Sequence, residues 1–195
     1  MTVFSNLRLA GTVAGTIFAA VPAFASYDGG TVNFQYYAYG GTYNGSNSPS
    51  TFAAPGNAVF GNYFTVAVSG SKITYTFDSD TIWSTSAASL NSGGLYIDNG
   101  SLISNVSGLG PITSVSLDPT SMLGSSGFGA ANITFNTGAV AVSWGGFTFA
   151  QGNTVVLDVN VTGGTVPEPA TWALMIGGLA MTGFAVRRRR IHVGA

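Results

Sequence analysis

The sequence has no cysteine, few charged residues and a single histidine. Among its 195 residues 7% are charged and 46% are hydrophobic, so the chain is neither a disulfide framework nor a disordered polymer. The histidine is His192, near the C-terminus, and residues 26–166 contain no His, Cys or Arg. These absences exclude Ser-His-Asp and Cys-His nucleophiles and imidazole zinc sites from that part. We therefore expect no enzymatic activity, no metal and no other cofactor.

Basic residues are also scarce, and they lie almost entirely at the ends of the chain. Arg8 is near the start, four arginines are consecutive near the end, and only Lys72 lies between them. Six aspartates against Lys72 give residues 26–166 a net charge of −5. Because a nucleic-acid-binding face needs clustered positive charge, nucleic acid is excluded as a partner.

The first 25 residues have the pattern of a secretory signal. Arg8 precedes an apolar stretch, which ends in the small-residue triplet Ala23-Phe24-Ala25. This order is typical of a signal helix that is removed after export. The pattern predicts cleavage after Ala25 and an exported module over residues 26–166.

The C-terminal residues combine a double proline, an apolar run and an arginine cluster. Pro167-Glu168-Pro169 should be extended and exposed, because a residue before proline avoids the helical region. Residues 170–186 carry no charge and predict a transmembrane helix. Four arginines follow it directly: Arg187, Arg188, Arg189 and Arg190. By the positive-inside rule they stay cytoplasmic, which places the module on the outer side.

With Trp172-Ala173 after the double proline, this tail over residues 167–195 resembles the PEP-CTERM sorting signal of Gram-negative bacteria. The resemblance implies that an exosortase recognises the tail and releases or transfers the protein toward the cell surface and its exopolysaccharide. It implies recognition by Pro167, Glu168, Pro169, Trp172 and Ala173, with the arginines holding the tail in the membrane. The protein would be anchored transiently and then reach the envelope, the surface or the extracellular matrix. The alternative is a plain membrane anchor.

Alternation of apolar and polar residues dominates the module and indicates half-buried strands. We expect an all-β fold, an antiparallel β-sandwich that could have jelly-roll topology. A β-solenoid is the alternative. Residues 43–56 are expected to form a long loop, and Asp98-Asn99-Gly100 predicts a type I′ hairpin. The expected strands are 31–36, 60–68, 72–77, 95–98, 111–117, 132–135, 140–144 and 153–161.

Three groups of side chains in the module could carry chemistry. Asp78 and Asp80 could form a glycosidase acid pair or a calcium site, although a turn with ordinary hydrogen bonds explains them too. Ser69, Ser71 and Lys72 offer a Ser-Lys dyad that any hairpin of this composition would offer. In an aromatic cluster with Tyr36 and Tyr43, Tyr37 and Tyr39 are expected on one exposed face, where their rings could contact a glycan.

The function expected from these patterns is that of a non-enzymatic, exported envelope or exopolysaccharide-matrix protein, sorted by an exosortase. One alternative is a module that binds a polysaccharide or another repetitive surface, such as ice. The other is a carboxylate-based glycoside hydrolase that uses Asp78 and Asp80.

Overall fold

A computed structural model of the protein describes residues 26–162 and, beyond them, Gly177 alone. The predicted signal helix, the Pro-Glu-Pro segment and, apart from Gly177, the predicted transmembrane helix therefore lie outside the described residues. Within the described part, no helix has the length and apolar character needed to cross a membrane.

Strands make up most of the described chain, with a single 3₁₀ turn at Ala130–Asn132. In chain order the strands are β1 (Thr31–Ala38), β2 (Gly41–Tyr43), β3 (Ser50–Ala53), β4 (Gly56–Phe60), β5 (Phe64–Ser69), β6 (Lys72–Phe77), β7 (Thr81–Ile82), β8 (Leu90–Ser92), β9 (Leu95–Ile97), β10 (Gly100–Ser107), β11 (Ile112–Leu117), β12 (Ile133–Asn136), β13 (Ala139–Ser143), β14 (Thr148–Phe149) and β15 (Thr154–Val161).

Two antiparallel sheets contain most of these strands. The first has the order β12-β13-β10-β1-β2, with β3 also paired to β1, and the second has the order β11-β15-β6-β5-β4. Strands β7 and β14 form one short pair, and β8 and β9 form another. The expected all-β, antiparallel architecture is confirmed. Strands β4, β5 and β6 run as a meander within one sheet, an order that the eight-stranded jelly roll does not have.

The apolar core lies between the two sheets and is rich in aromatic rings. Trp144, directly after β13, is fully buried, with its ring centroid 5.0 Å from that of Tyr75 and 5.5 Å from that of Phe77. Ser101 of the first sheet donates a hydrogen bond of 2.9 Å to the Tyr75 hydroxyl of the second. Since the chain has no disulfide, packing between the sheets supplies its cohesion.

The hairpin of β8 and β9 covers part of the outer face of the first sheet. Leu95 and Ile97 pack there with Ala139 and Ala141, so all of β13 is buried. Tyr37 is half-buried against this second cluster, on the side opposite Tyr36. The alternation of β1 therefore holds, but Tyr37 on its outer face is partly covered rather than open.

The predicted strands are largely present, and three local predictions are wrong. Residues 60–68 are two strands separated by a turn at 61–63, and residues 43–56 contain β3 instead of a continuous loop. Asp98-Asn99-Gly100 does not close a hairpin, because β9 pairs with β8 while β10 pairs with β1 and β13. Tertiary contacts shape this corner: the Asn99 carbonyl accepts the Trp144 N–H at 2.7 Å.

Replacing Trp144 by alanine should destabilise the protein more than any exposed substitution. The cavity left between the sheets predicts a loss of about 3–5 kcal/mol in the free energy of unfolding. Urea unfolding of the full chain in detergent, followed by far-UV circular dichroism, measures it. Trp144→Phe keeps an aromatic ring and should lose less. A loss below about 1 kcal/mol in Trp144→Ala would contradict the central place of this side chain.

Candidate functional site

An open cleft lined largely by aromatic side chains lies where β1, β4 and β7 approach one another. Its volume is about 160 Å³. No charged residue lines it. The lining residues are Tyr36, Ala38, Tyr39, Tyr43, Phe60, Tyr63, Thr81, Ile82, Trp83, Ser84 and Asn99. We call this surface the aromatic cleft.

The base of the aromatic cleft is fixed by stacking and by a hydrogen-bond chain. The Tyr36 ring stacks on Phe60 with centroids 4.1 Å apart and planes at 15°. The Tyr36 hydroxyl donates to Asn99 Oδ1 at 2.7 Å, and Asn99 Nδ2 donates to the Ser84 carbonyl at 2.9 Å. Burial raises the pKa of Tyr36 well above its ordinary value, so the phenol stays protonated as a donor.

Tyr39, Tyr43 and Tyr63 extend from this base toward solvent, and the buried ring of Trp83 packs beside them. Tyr43 lies 5.9 Å from Phe60 and 6.5 Å from Tyr39, measured between ring centroids. Tyr63 lies 5.7 Å from Trp83 on the other side. Tyr39 is 79% exposed and Tyr63 is 39% exposed. The aromatic cleft therefore presents ring surface to a ligand while its base is rigidly packed.

Tyr39 occupies a backbone conformation that tyrosine rarely adopts. It has φ of 56° and is followed by Gly40 with φ of 84°, in the two-residue turn between β1 and β2. Positive φ at both central positions favours Asn, Asp or Gly. A bulky residue in the left-handed region is strained by about 1 kcal/mol or more, and such strain collects at functional sites. The exposed ring of Tyr39 is thus held at an energetic disadvantage.

The structure separates the two tyrosines that the sequence grouped together. Tyr39 lines the aromatic cleft, whereas Tyr37 packs under the β8 and β9 hairpin. Sequence reasoning missed Tyr63 and Trp83 as members of the site. Tyr63 follows the Gly61-Asn62 turn, and an aromatic residue next to a turn is the signal that could have found it.

Asp78 and Asp80 make separate hydrogen bonds, and neither the aromatic cleft nor a second cleft contains both residues. Asp78 accepts a hydrogen bond from the Thr65 hydroxyl at 3.0 Å, and Asp80 Oδ1 accepts the Gln151 backbone N–H at 2.7 Å. Asp80 lines a second cleft, and Asp78 lines neither. Within residues 26–162, no group of three or more His, Cys, Asp or Glu side chains is placed to hold a metal ion.

Lys72 is held by two aspartates rather than by a serine. Ser69 and Lys72 face each other across the β5–β6 hairpin, but the Lys72 ammonium pairs with Asp118 and, at 2.8 Å, with Asp158 Oδ1. The bond from Lys72 keeps the pKa of Asp118 well below its usual range, and the Thr120 hydroxyl and backbone N–H add to this effect. The bonds to Asp118 and then Asp158 raise the pKa of Lys72. The amine is therefore protonated, not a base for a Ser-Lys dyad.

The sorting residues Pro167, Glu168, Pro169, Trp172 and Ala173, the arginines 187–190 and the cleavage residues Ala23 and Ala25 lie outside the described part of the chain. Their assignments stay predictions. Residues 165–190 match the family model of the PEP-CTERM protein-sorting motif. The match confirms the resemblance seen in the tail.

The motif implies that the chain is exported and sorted after secretion. This chain carries a PEP-CTERM motif, which indicates processing by an exosortase and sorting to the cell envelope or surface. No curated protein and no solved structure matches the chain.

The Lys72 cluster should make the protein sensitive to acid. An aspartate has a pKa of about 3.9 when unfolded, and that of Asp118 is lower in the folded protein. The pair therefore stabilises the fold above about pH 4, and this contribution is lost as the pH falls through the folded value. We expect urea midpoints of the full chain to fall below about pH 4.

Asp118→Asn should be less stable than the wild type at pH 7. Its urea midpoint should also fall less steeply between pH 4 and pH 2, the acid limb of the stability curve. Asp78→Asn is the matched control, because Asp78 has no ammonium partner among the described residues. This control should keep the wild-type acid limb. An acid limb in Asp118→Asn as steep as in the wild type would contradict the assignment.

Proposed function

We propose that this protein is a non-enzymatic component of the envelope or exopolysaccharide matrix, which binds polysaccharide through its aromatic cleft. The aromatic cleft is the observation that carries the proposal. A sugar ring has an apolar C–H face and a polar hydroxyl edge, so it gains free energy when the C–H face covers an aromatic ring. The exposed rings of Tyr39 and Tyr63 offer such faces at the opening of the cleft.

The polar groups around these rings suit a sugar as well. Thr81 and Ser84 add hydroxyl groups to the lining, and Asn99 is anchored by its bonds to Tyr36 and Ser84. A few fixed polar groups among apolar walls are the usual composition of a small-molecule site. Binding, rather than catalysis, is favoured because the aromatic cleft has no carboxylate, imidazole or amine in its lining.

The PEP-CTERM motif supports the proposed location. The motif implies sorting to the cell envelope or surface. A polysaccharide-binding module placed there would have the exopolysaccharide of the cell as its ligand. A binding module would also link such a protein to the matrix after its tail is removed. The alternative of ice as the bound surface is less favoured, because ice binding needs a flat face and the aromatic rings line a concave one.

The tail should be removed by exosortase in the native host. Intact mass spectrometry of the protein is expected to show a product that ends near Pro167–Pro169, and this product should be absent from a strain that lacks exosortase. Pro167→Ala combined with Pro169→Ala should also prevent the cleavage. Without the two prolines the segment is no longer restricted to the extended conformation that the enzyme is expected to bind.

The matched control for this experiment is Pro111→Ala. Pro111 is an exposed proline just before β11, so its replacement should leave processing unchanged. A mass that still includes Arg187, Arg188, Arg189 and Arg190 in both strains would show that the tail is a plain anchor.

Tyr39→Asn separates binding from folding. Asparagine tolerates the left-handed backbone at residue 39, so the free energy of unfolding should rise by about 1 kcal/mol. Loss of the exposed ring should weaken polysaccharide binding about five- to tenfold. Affinity electrophoresis against the exopolysaccharide of the host measures binding, with the full chain in a polyoxyethylene detergent whose headgroup contains no sugar.

Tyr96→Asn is the control for this substitution. Tyr96 is 44% exposed on β9 and does not line the aromatic cleft, so its loss should not change binding. Equal weakening by Tyr39→Asn and Tyr96→Asn, or no weakening by either, would count against the aromatic cleft as the binding site.

A further inference from the structure

A second cleft adjoins the aromatic cleft and shares part of its wall. Its volume is about 480 Å³. Thr81 and Ile82, the two residues of β7, line both clefts. The residues lining the second cleft are Asp80, Thr81, Ile82, Gly124, Ser125, Thr148, Phe149, Ala150 and Asn153. The two clefts therefore meet along a single short strand.

Strand β7 lies in the wall that the two clefts share. It pairs with β14, so that Ile82 lies opposite Thr148 and Thr81 opposite Phe149. The Ile82 side chain is 80% exposed. Ile82 is a large apolar side chain that is held by a paired strand and has a cleft on each side. A ligand that extends from one cleft to the other would cover it.

The second cleft offers hydrogen-bonding groups that are fixed in place. Asp80 Oδ1 accepts the Gln151 N–H at 2.7 Å, and Asn153 Oδ1 accepts the Ala150 N–H at 2.9 Å. Among the hydrogen bonds of residues 26–162, none uses Asp80 Oδ2 or Asn153 Nδ2. The backbone N–H groups thus orient both side chains. One acceptor oxygen and one donor nitrogen remain available for the hydroxyl groups of a sugar.

The charge distribution selects among polysaccharides. Asp80 is the only charged residue that lines either cleft, and Lys72, the one cation in residues 26–162, is held between Asp118 and Asp158. A uronate or sulfated polymer would find no positive partner in the clefts and would be repelled by the module, whose net charge is −5. An uncharged polymer meets neither obstacle.

We infer that the two clefts are subsites of one groove for an uncharged polysaccharide chain, which stacks on the aromatic cleft, crosses Ile82 and forms hydrogen bonds with Asp80 and Asn153. This inference rests on the proposed function and adds two features to it. The first is the length of polysaccharide chain that the site binds, and the second is the chemical class of the polymer. Binding should therefore depend on chain length and depend little on salt.

Isothermal titration calorimetry of the full chain in polyoxyethylene detergent tests both features. The probes are hexasaccharides of neutral glucan, mannan and galactan, the disaccharide of whichever binds best, and hexasaccharides of alginate and polygalacturonate. At least one neutral hexasaccharide should bind at least about tenfold more tightly than its disaccharide, because it covers both subsites. The two polyuronates should not bind, even at low salt.

Variants of Ile82 and of the second cleft should affect the long ligand more than the short one. Asp80→Asn is expected to weaken hexasaccharide binding about three- to fivefold and to leave the disaccharide affinity unchanged, because Asp80 lines the second cleft but not the aromatic cleft. Ile82→Ser should weaken the hexasaccharide about three- to fivefold and the disaccharide less, because Ile82 lines both clefts. Tyr39→Asn should weaken both ligands. The matched controls are Val106→Ser, at a side chain 56% exposed near the end of β10, and Asp78→Asn, at an aspartate that lines neither cleft.

The outcomes distinguish the groove from the proposed function. If Tyr39→Asn weakens both ligands while Ile82→Ser and Asp80→Asn weaken neither, the aromatic cleft binds sugar but the groove is overturned. Binding of a polyuronate as tight as that of the neutral hexasaccharide overturns the selection by charge. If no polysaccharide binds the wild type, the proposed function fails and the groove fails with it.

Discussion

Contact between aromatic rings across the two sheets is the interaction on which the rest of this structure depends. Without disulfides, the exported module is held by apolar burial, and rings from both sheets fill the space between them. The stack of Tyr36 on Phe60 joins β1 of one sheet to β4 of the other at the end of this core. The same stack is the base of the aromatic cleft. The cleft is therefore a continuation of the core to the surface, and its shape is as rigid as the packing beneath it.

Rigidity at the base contrasts with strain at the opening. Tyr39 stands in a turn position whose backbone suits asparagine or glycine, and its ring is left in solvent. Neither the strained backbone nor the exposed ring stabilises the fold, so local stability does not explain why tyrosine occupies this position. Proteins retain strained residues where function requires them. An exposed ring above a packed aromatic base has a direct use in stacking on a ligand, and that use gives the strain a physical reason.

Much of the fold could be predicted from the sequence, but less of the site. Alternation identified β6 and β15, since each has one buried face. It missed β10 (Gly100–Ser107), whose Gly, Ser and Asn residues have low β-propensity and are placed by pairing with β1 and β13. Tyr39 was found because aromatic residues cluster near it in the chain. Tyr63 had only its position next to a turn as a signal, and Trp83 could not be grouped with Tyr39, because only the meeting of β1, β4 and β7 brings these rings together.

Positive charge is scarce in the module and concentrated in the tail. Strong positive charge is confined to one cluster, Arg187 to Arg190, where the resemblance to a sorting tail assigns it to topology. The module keeps one lysine, and that lysine is neutralised by Asp118 and Asp158. A surface of this kind does not attract an anionic polymer at long range, so recognition of a polysaccharide must come from stacking and short hydrogen bonds. Such contacts are little screened by salt, which suits a protein whose environment outside the cell varies in ionic strength.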